Sequence, residues 1–222
     1  MKHKYFGGSA EDLSVVNPLP QTSFKTFVLE VLGNPTRLGI TRDAYRGLTK
    51  KAQHEAKRAP FFTACTFSGA KRSDDEAQSS NLITLDLDDE NRCMADVYLR
   101  APWMLAKVLS PYSFAAYTSA SSTSTNPRMR IVVDADLIPF NRYIDAVFFV
   151  ARSIGLPTVN PETLRHYQPM YVPSLFAEES MASHNPLVST WLEGRPLRVS
   201  DLTPSSATAP LPITGYLYPN GV

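Results

Sequence analysis

Asn81-Leu82-Ile83-Thr84-Leu85-Asp86-Leu87-Asp88-Asp89-Glu90 is the stretch on which the reading of this 222-residue chain turns. Its apolar run predicts a buried strand that delivers two carboxylates, Asp86 and Asp88, as it ends. Residues i and i+2 of a strand point to the same face, so the two acids converge on one point. Like charges that close repel, and a divalent cation held between them is the usual remedy. Hard oxygen ligands favour Mg²⁺ or Mn²⁺, and those ions favour phosphate chemistry. The bland alternative is a strand ending in a solvated acidic turn, because an Asp-x-Asp motif is short and common.

Upstream, Phe61–Phe67 reads as a strand, followed by a polar loop through Gly69, Lys71, Arg72, Ser73 and Asp74. Residues 23–33 read as a helix capped by Ser23 (or Thr22) and closed by Gly33. Thr41 caps a second helix, with Tyr45, Leu48 and Ala52 on one face and Lys50, Lys51, Lys57 and Arg58 as its basic residues. Downstream, a helix from about Met94 to Leu109 is disturbed by Pro102. Ser113–Ser119 is a buried strand that runs into Ser119-Ala120-Ser121-Ser122-Thr123-Ser124-Thr125. Arg128-Met129-Arg130-Ile131-Val132-Val133 begins with period-two alternation, which puts both arginines on one face. Residues 140–155 form an amphipathic helix with Ile144, Val147, Phe148, Ala151 and Ile154 as its stripe and Gly155 as its stop. Met170–Val172 is at most a short strand between prolines.

The expected division is a helical N-terminal portion (1–59), a core (60–192) and a proline-rich tail (193–222) that serves as a linker or surface wrap. Interleaved strands and helices predict an α/β or α+β sheet with helices packed on it. Hydrophobic residues at 43% and charged residues at 19% mark a globular chain. The formal net charge of +1 carries no global basic excess, so nucleic-acid binding requires a local patch. Cys65 and Cys93 fall in different elements, which suits a reduced, cytoplasmic chain and argues against a zinc site. No apolar run reaches the roughly 18 residues of a membrane span, and Met1-Lys2-His3-Lys4 opens no signal-type core. The expectation is a soluble cytoplasmic protein with no membrane partner.

Three features stack in order: paired acids end one strand, a Ser/Thr loop ends the next, and two arginines share a face of the third. Brought together, they hold a triphosphate, with metal on phosphate oxygens, forked guanidinium bonds and hydroxyl donors. In order and local wording the chain resembles the archaeo-eukaryotic primase superfamily, in particular primase-polymerase-like domains of phages and plasmids. The resembling pieces are Lys71-Arg72-Ser73 leading into Leu82–Asp88, Tyr117–Ser122, Pro127–Val133, the helix around Tyr143, and Tyr171-Val172-Pro173-Ser174. The resemblance implies an RRM-like catalytic sheet and metal-dependent, template-directed nucleotidyl transfer in the replication of a mobile element. It implies Asp86 and Asp88 as ligands of Mg²⁺ or Mn²⁺, and Ser119, Ser121, Arg128 and Arg130 around the nucleotide. Lys71 and Arg72 follow as contacts to nucleotide or template phosphate. The implied partners are single-stranded DNA template, nucleoside triphosphates and a replicative helicase.

Two departures accompany the resemblance. The superfamily's second motif places a histidine where Ala120 or Ser121 stands, with His166 the distant substitute. Its third motif supplies a further carboxylate where this chain reads Val159-Asn160-Pro161-Glu162, leaving Asn160 or Glu162, or else Asp134 or Asp136, as substitutes. The reading of Asp134 and Asp136 from sequence alone is a turn after the strand, and of His166 a surface loop. Two rival functions follow: a catalytically degenerate module that binds nucleic acid or nucleotide, and a haloacid-dehalogenase-like phosphotransferase.

Overall fold

The computed structural model describes residues 4–202, so the proline-rich stretch beyond Leu202 lies outside the described residues. The strands are β1 (Phe6–Gly8), β2 (Asn17–Pro18), β3 (Thr36–Arg37), β4 (Phe61–Thr63), β5 (Cys65–Phe67) and β6 (Ala77–Leu87). They continue with β7 (Phe114–Thr118), β8 (Met129–Ile138), β9 (Met170–Tyr171), β10 (Ser174–Leu175) and β11 (Leu187–Trp191). The helices are α1 (Phe24–Phe27), α2 (Arg42–Arg46), α3 (Lys50–Ala56), α4 (Arg92–Arg100), α5 (Pro102–Leu109) and α6 (Tyr143–Ser153). The class is α+β.

A five-stranded sheet in the order β11-β7-β8-β6-β5 forms the centre. Both β6 and β7 pair antiparallel to β8, so they run parallel to each other with β8 between them. Helices α4 and α5 make the crossover that such a parallel relation requires, giving a split β-α-β unit. This topology puts the C-terminal ends of β6 and β7 and the N-terminal end of β8 at one end of the sheet. The acid pair, the Ser/Thr loop and the two arginines sit at those three ends.

Leu82, Ile83, Leu85 and Leu87 of β6 are buried, as are Ile131, Val132 and Val133 of β8. Covering on both faces explains their continuous apolar runs. A second sheet, β2-β1-β4-β9, and a parallel β3–β10 pair flank the centre. The expected strand Phe61–Phe67 breaks at Ala64, with β4 entering the flanking sheet and β5 the central one. One short segment thereby ties the two sheets together.

Several other elements depart from the pattern reading. The helix over 23–33 is α1 followed by a π-helical turn, Val28–Leu32. Its cap is Ser23, whose Oγ accepts from the Thr26 N–H. The helix beginning at Thr41 is two helices, because Gly47-Leu48 breaks it and Thr49 caps α3 anew. Pro102 starts α5 instead of kinking one long helix; lacking an N–H, it is tolerated in a first turn. Of the expected α6 stripe, Val147, Phe148, Ala151 and Ile154 are buried and only Ile144 is exposed, and the buried face widens to take in Tyr143, Ala146 and Val150. Asp134 and Asp136 do not form a turn but lie within β8, which runs on to Ile138. The start of the proline-rich segment packs on the core, where Leu197 bridges Ala135 and is fully buried. Among the described residues no helix is long and apolar enough to cross a membrane.

Candidate functional site

Register places Asp86 of β6 directly opposite Arg130 of β8, and Arg130 opposite Tyr117 of β7. The Arg130 Nε donates to Asp86 Oδ1 at 2.7 Å, and its Nη2 approaches Oδ2 at 3.4 Å. Both side chains are mostly buried, 16% and 17% exposed. The Arg130 Nη1 also donates to the Tyr171 carbonyl at 3.2 Å, and the Tyr117 hydroxyl donates to the same oxygen at 3.0 Å. Burial pushes the Tyr117 phenol up in pKa, against the pull of Arg130, so it stays a neutral donor. One backbone carbonyl thus fixes the guanidinium and the phenol that flank the acid.

Two residues on, Arg128 Nη1 lies 3.5 Å from Asp88 Oδ2. The Asn160 Nδ2 donates to Asp88 Oδ1 at 3.2 Å, while its Oδ1 accepts the Glu162 N–H at 2.9 Å. That second bond caps the 3₁₀ turn Pro161–Leu164. Asn160 therefore presents its amide, not its carbonyl, to the acid. Glu162 lines the same cleft, as do Ser119, Ser121 and Lys57.

The cleft is small, about 110 Å³. Three acids (Asp86, Asp88, Glu162) face three bases (Lys57, Arg128, Arg130) across it. Burial is the main cause holding the Lys57 pKa below its ordinary value, with Arg130 and Arg128 adding to it and Asp86 and Asp88 opposing. The Ser/Thr loop is tied down. Ser122 N–H bonds the Ser119 carbonyl at 2.9 Å, and the Ser122 hydroxyl accepts from Arg128 N–H at 3.0 Å. Ser121 Oγ lies 3.1 Å from the Tyr45 hydroxyl of α2, and Arg42 Nη1 donates to the Ser122 carbonyl at 2.8 Å.

Lys71 and Arg72 do not line this cleft. Arg72 donates to the carbonyls of Leu13 and of Tyr167, the latter at 3.1 Å, and Lys71 bridges Val15. Their place is to hold the N-terminal segment against the sheet. His166 is neither on a surface loop nor in the cleft. It is 3% exposed, within an edge-on cage of Phe140, Tyr143 and Tyr167 rings, and burial lowers its pKa. Asp134 and Asp136 also lie outside the cleft lining.

Two carboxylates on one face fit a hard cation whose remaining ligands are phosphate oxygens and water. They do not make an all-protein cage: each is already ion-paired, and among the described residues no three His, Cys, Asp or Glu side chains group as metal ligands. The donor set suits an ion that arrives with its phosphates.

Lys57 and the Tyr171 carbonyl are, with Ala120, Val172 and Ser174, cleft members that pattern reading did not assign as site residues. The signal for Lys57 lay in the spacing Lys50, Gln53, His54, Lys57, which is i, i+3, i+4, i+7 on one helical face. A backbone carbonyl leaves no trace in sequence.

Fold and site together define an α+β domain with an acid–arginine cleft at the open end of an antiparallel sheet. The family model for the VapE N-terminal domain matches residues 20–194, and the chain belongs to that family. The family is associated with virulence-associated E proteins of phages and plasmids, which are primase-like, and this places the chain with proteins of mobile elements. The match takes in α1–α3 together with the central sheet. No curated protein and no solved structure matches the chain.

Proposed function

We propose that the chain is a primase-polymerase-like nucleotidyltransferase module, acting with Mg²⁺ or Mn²⁺ on nucleoside triphosphates and a single-stranded DNA template in mobile-element replication. The observation that carries this reading is the pair of ladders Asp86–Arg130 and Asp88–Arg128 beside the Ser119–Ser122 loop. In such a module the divalent ions neutralise the triphosphate and activate the attacking 3′-hydroxyl.

The chain's own residues do the rest by exchanging partners. Without ligand, each carboxylate and each guanidinium neutralises the other. With ion and triphosphate present, Asp86 and Asp88 turn to the cations while Arg128 and Arg130 turn to phosphate oxygens, which suit the guanidinium fork. Tyr117 and the Tyr171 carbonyl hold Arg130 in place during that exchange. Lys57 supplies a further cation, and Ser119 and Ser121 supply hydroxyl donors. The exchange conserves charge within a cleft too confined to leave charges bare.

A second reading, a nucleotide- or nucleic-acid-binding module without chemistry, is favoured by one observation: Asn160 stands beside Asp88 as a donor where a third carboxylate is expected. The phosphotransferase rival gains no support, because both strands beside β6 run antiparallel to it. Labelled nucleotide incorporation on single-stranded DNA decides among the three, comparing the wild type with Asp86→Ala plus Asp88→Ala. Incorporation lost in the double variant supports the proposal, and incorporation that survives defeats the metal assignment. Retained DNA binding without incorporation by the wild type selects the binding module. Phosphate release from small phosphoesters selects the phosphotransferase.

A further inference from the structure

Beside the acid–arginine cleft lies a larger pocket of about 430 Å³, walled by α2, α3 and the Ser/Thr loop. Its charged lining is Arg42, Arg46, Lys50, His54, Lys57 and Arg128, and among the described residues no carboxylate lines it. Ser121, Thr123 and Asn126 add neutral hydrogen-bonding groups from the loop. Lys57, Ser121 and Arg128 belong to both cavities, so one ligand can reach from the cleft into the pocket.

Its cations are unequally committed. Arg42 is spent on Glu179, with Nη2 2.6 Å from Oε1, and stacks on Phe176. Arg46 pairs, among the described residues, only with the exposed Asp43, 3.4 Å away. Among the described residues, Lys50 and Lys57 have no carboxylate within ion-pair reach. Arg128 is paired with Asp88, so counter-charge reaches only some members of the cluster. Like charges gathered in a concavity and only partly neutralised repel, and the arrangement persists most readily where an anion completes it.

Shape and charge narrow the ligand. No carboxylate means no place for a bridging cation, so the anion is held by protein donors alone. A terminal phosphate carries about −1.5 to −2 charge against one for a backbone diester, which matches a concave cluster better than a groove. The lining offers no exposed Phe, Tyr or Trp face for a base, since Tyr45 is buried and bonded to Ser121. We propose that this pocket is a metal-independent binding site for a terminal phosphate group, carried either by a nucleoside triphosphate or by the 5′ end of a DNA strand. The site stands apart from the metal reading of Asp86 and Asp88.

The test is binding by the intact chain in EDTA, followed by calorimetry or fluorescence anisotropy. The probes are inorganic tripolyphosphate and matched oligonucleotides bearing a 5′-phosphate or a 5′-hydroxyl. Binding of tripolyphosphate, or a preference of about tenfold or more for the 5′-phosphorylated strand, is expected, and whichever is tighter names the source. Arg46→Ala plus Lys50→Ala should weaken that binding at least about tenfold, Arg46→Lys plus Lys50→Arg should retain most of it, and Asp86→Ala plus Asp88→Ala, which frees Arg128, should not weaken it. Arg46 and Lys50 are exposed helical positions, so an unchanged thermal midpoint certifies the variant's fold. Absence of binding to both phosphate probes in EDTA, or equal binding of the two strands without tripolyphosphate binding, overturns the proposal. So does binding that the double alanine variant leaves untouched.

Discussion

Asp86 and Arg130 face each other across neighbouring antiparallel strands, with Arg130 Nε 2.7 Å from Asp86 Oδ1. The pair is mostly buried and is fixed from a third strand by Tyr117 and from a loop by the Tyr171 carbonyl. It is the hinge of the proposed partner exchange, and its stability consequences can be measured without any ligand.

Removing one member leaves the other charged and largely desolvated. Arg130→Met should therefore cost about 3 kcal/mol in urea unfolding. Pairing it with Asp86→Asn should recover much of that loss, because no bare charge remains. A double-mutant cycle that finds the two substitutions additive would sink the picture of a coupled pair.

Lys57 sits half-buried in the cleft with Arg128 and Arg130, and among the described residues no carboxylate lies within ion-pair reach of it, a position that suits ligand better than stability. Lys57→Met should raise the thermal midpoint of the free protein by about 2–4 °C, an increment of about 1 kcal/mol. The same change should weaken binding of nucleotide with Mg²⁺. A variant that is less stable and binds normally would argue that Lys57 is structural.

The phenol of Tyr45 reaches from α2 to Ser121 and orders the loop that walls both cavities. Tyr45→Phe should cost roughly 1 kcal/mol. The loss should be local: amide exchange at Ser121–Thr125 should speed up while exchange in β6 and β8 stays slow. Uniformly faster exchange would place the effect in the core instead.

Asp134 is buried within β8, and its pKa is pushed up to about 7, chiefly by burial and in addition by Asp136, against a hydrogen bond from Ala135. The native state therefore keeps a proton that the unfolded chain gives up near its ordinary value of 3.8. The stabilisation is complete below that value and is lost as the pH rises through about 7. Asp134→Asn should flatten this fall in urea-unfolding profiles between pH 4 and pH 8, as a group of that pKa requires. An unchanged slope would place the titration on another group.

Gly155 closes α6 in the left-handed region at φ +70°, with only ordinary contact space around it. Gly155→Ala should thus cost about 1 kcal/mol through backbone strain alone, seen as a lower unfolding midpoint. Loss of the fold would show that the neighbourhood is tighter than its geometry indicates.

The strand ending in Asp86-Leu87-Asp88 was legible because its apolar run is long and its acids follow period two. The Arg128–Arg130 alternation and the Ser23, Thr41 and Gly155 boundaries were legible for the same reason: each is encoded in side chains a few residues apart. The break of Phe61–Phe67 between two sheets was not, since either half satisfies a strand pattern and only pairing partners divide them. Nor was the burial of Asp134 and His166, whose polar side chains read as surface until neighbouring elements close over them.

By itself, then, the sequence determined an α+β chain with an acidic strand end, a hydroxyl loop and two arginines in fixed order, because local propensity and periodicity act over one or two turns. The tertiary structure alone decided that each acid meets an arginine, that Asn160 offers its amide, that Lys71 and Arg72 point to the N-terminal segment, and that α3 lends Lys57 to the cleft. Those facts depend on strand register and on helix placement against the sheet. Both are set by long-range burial, which no short window of residues contains.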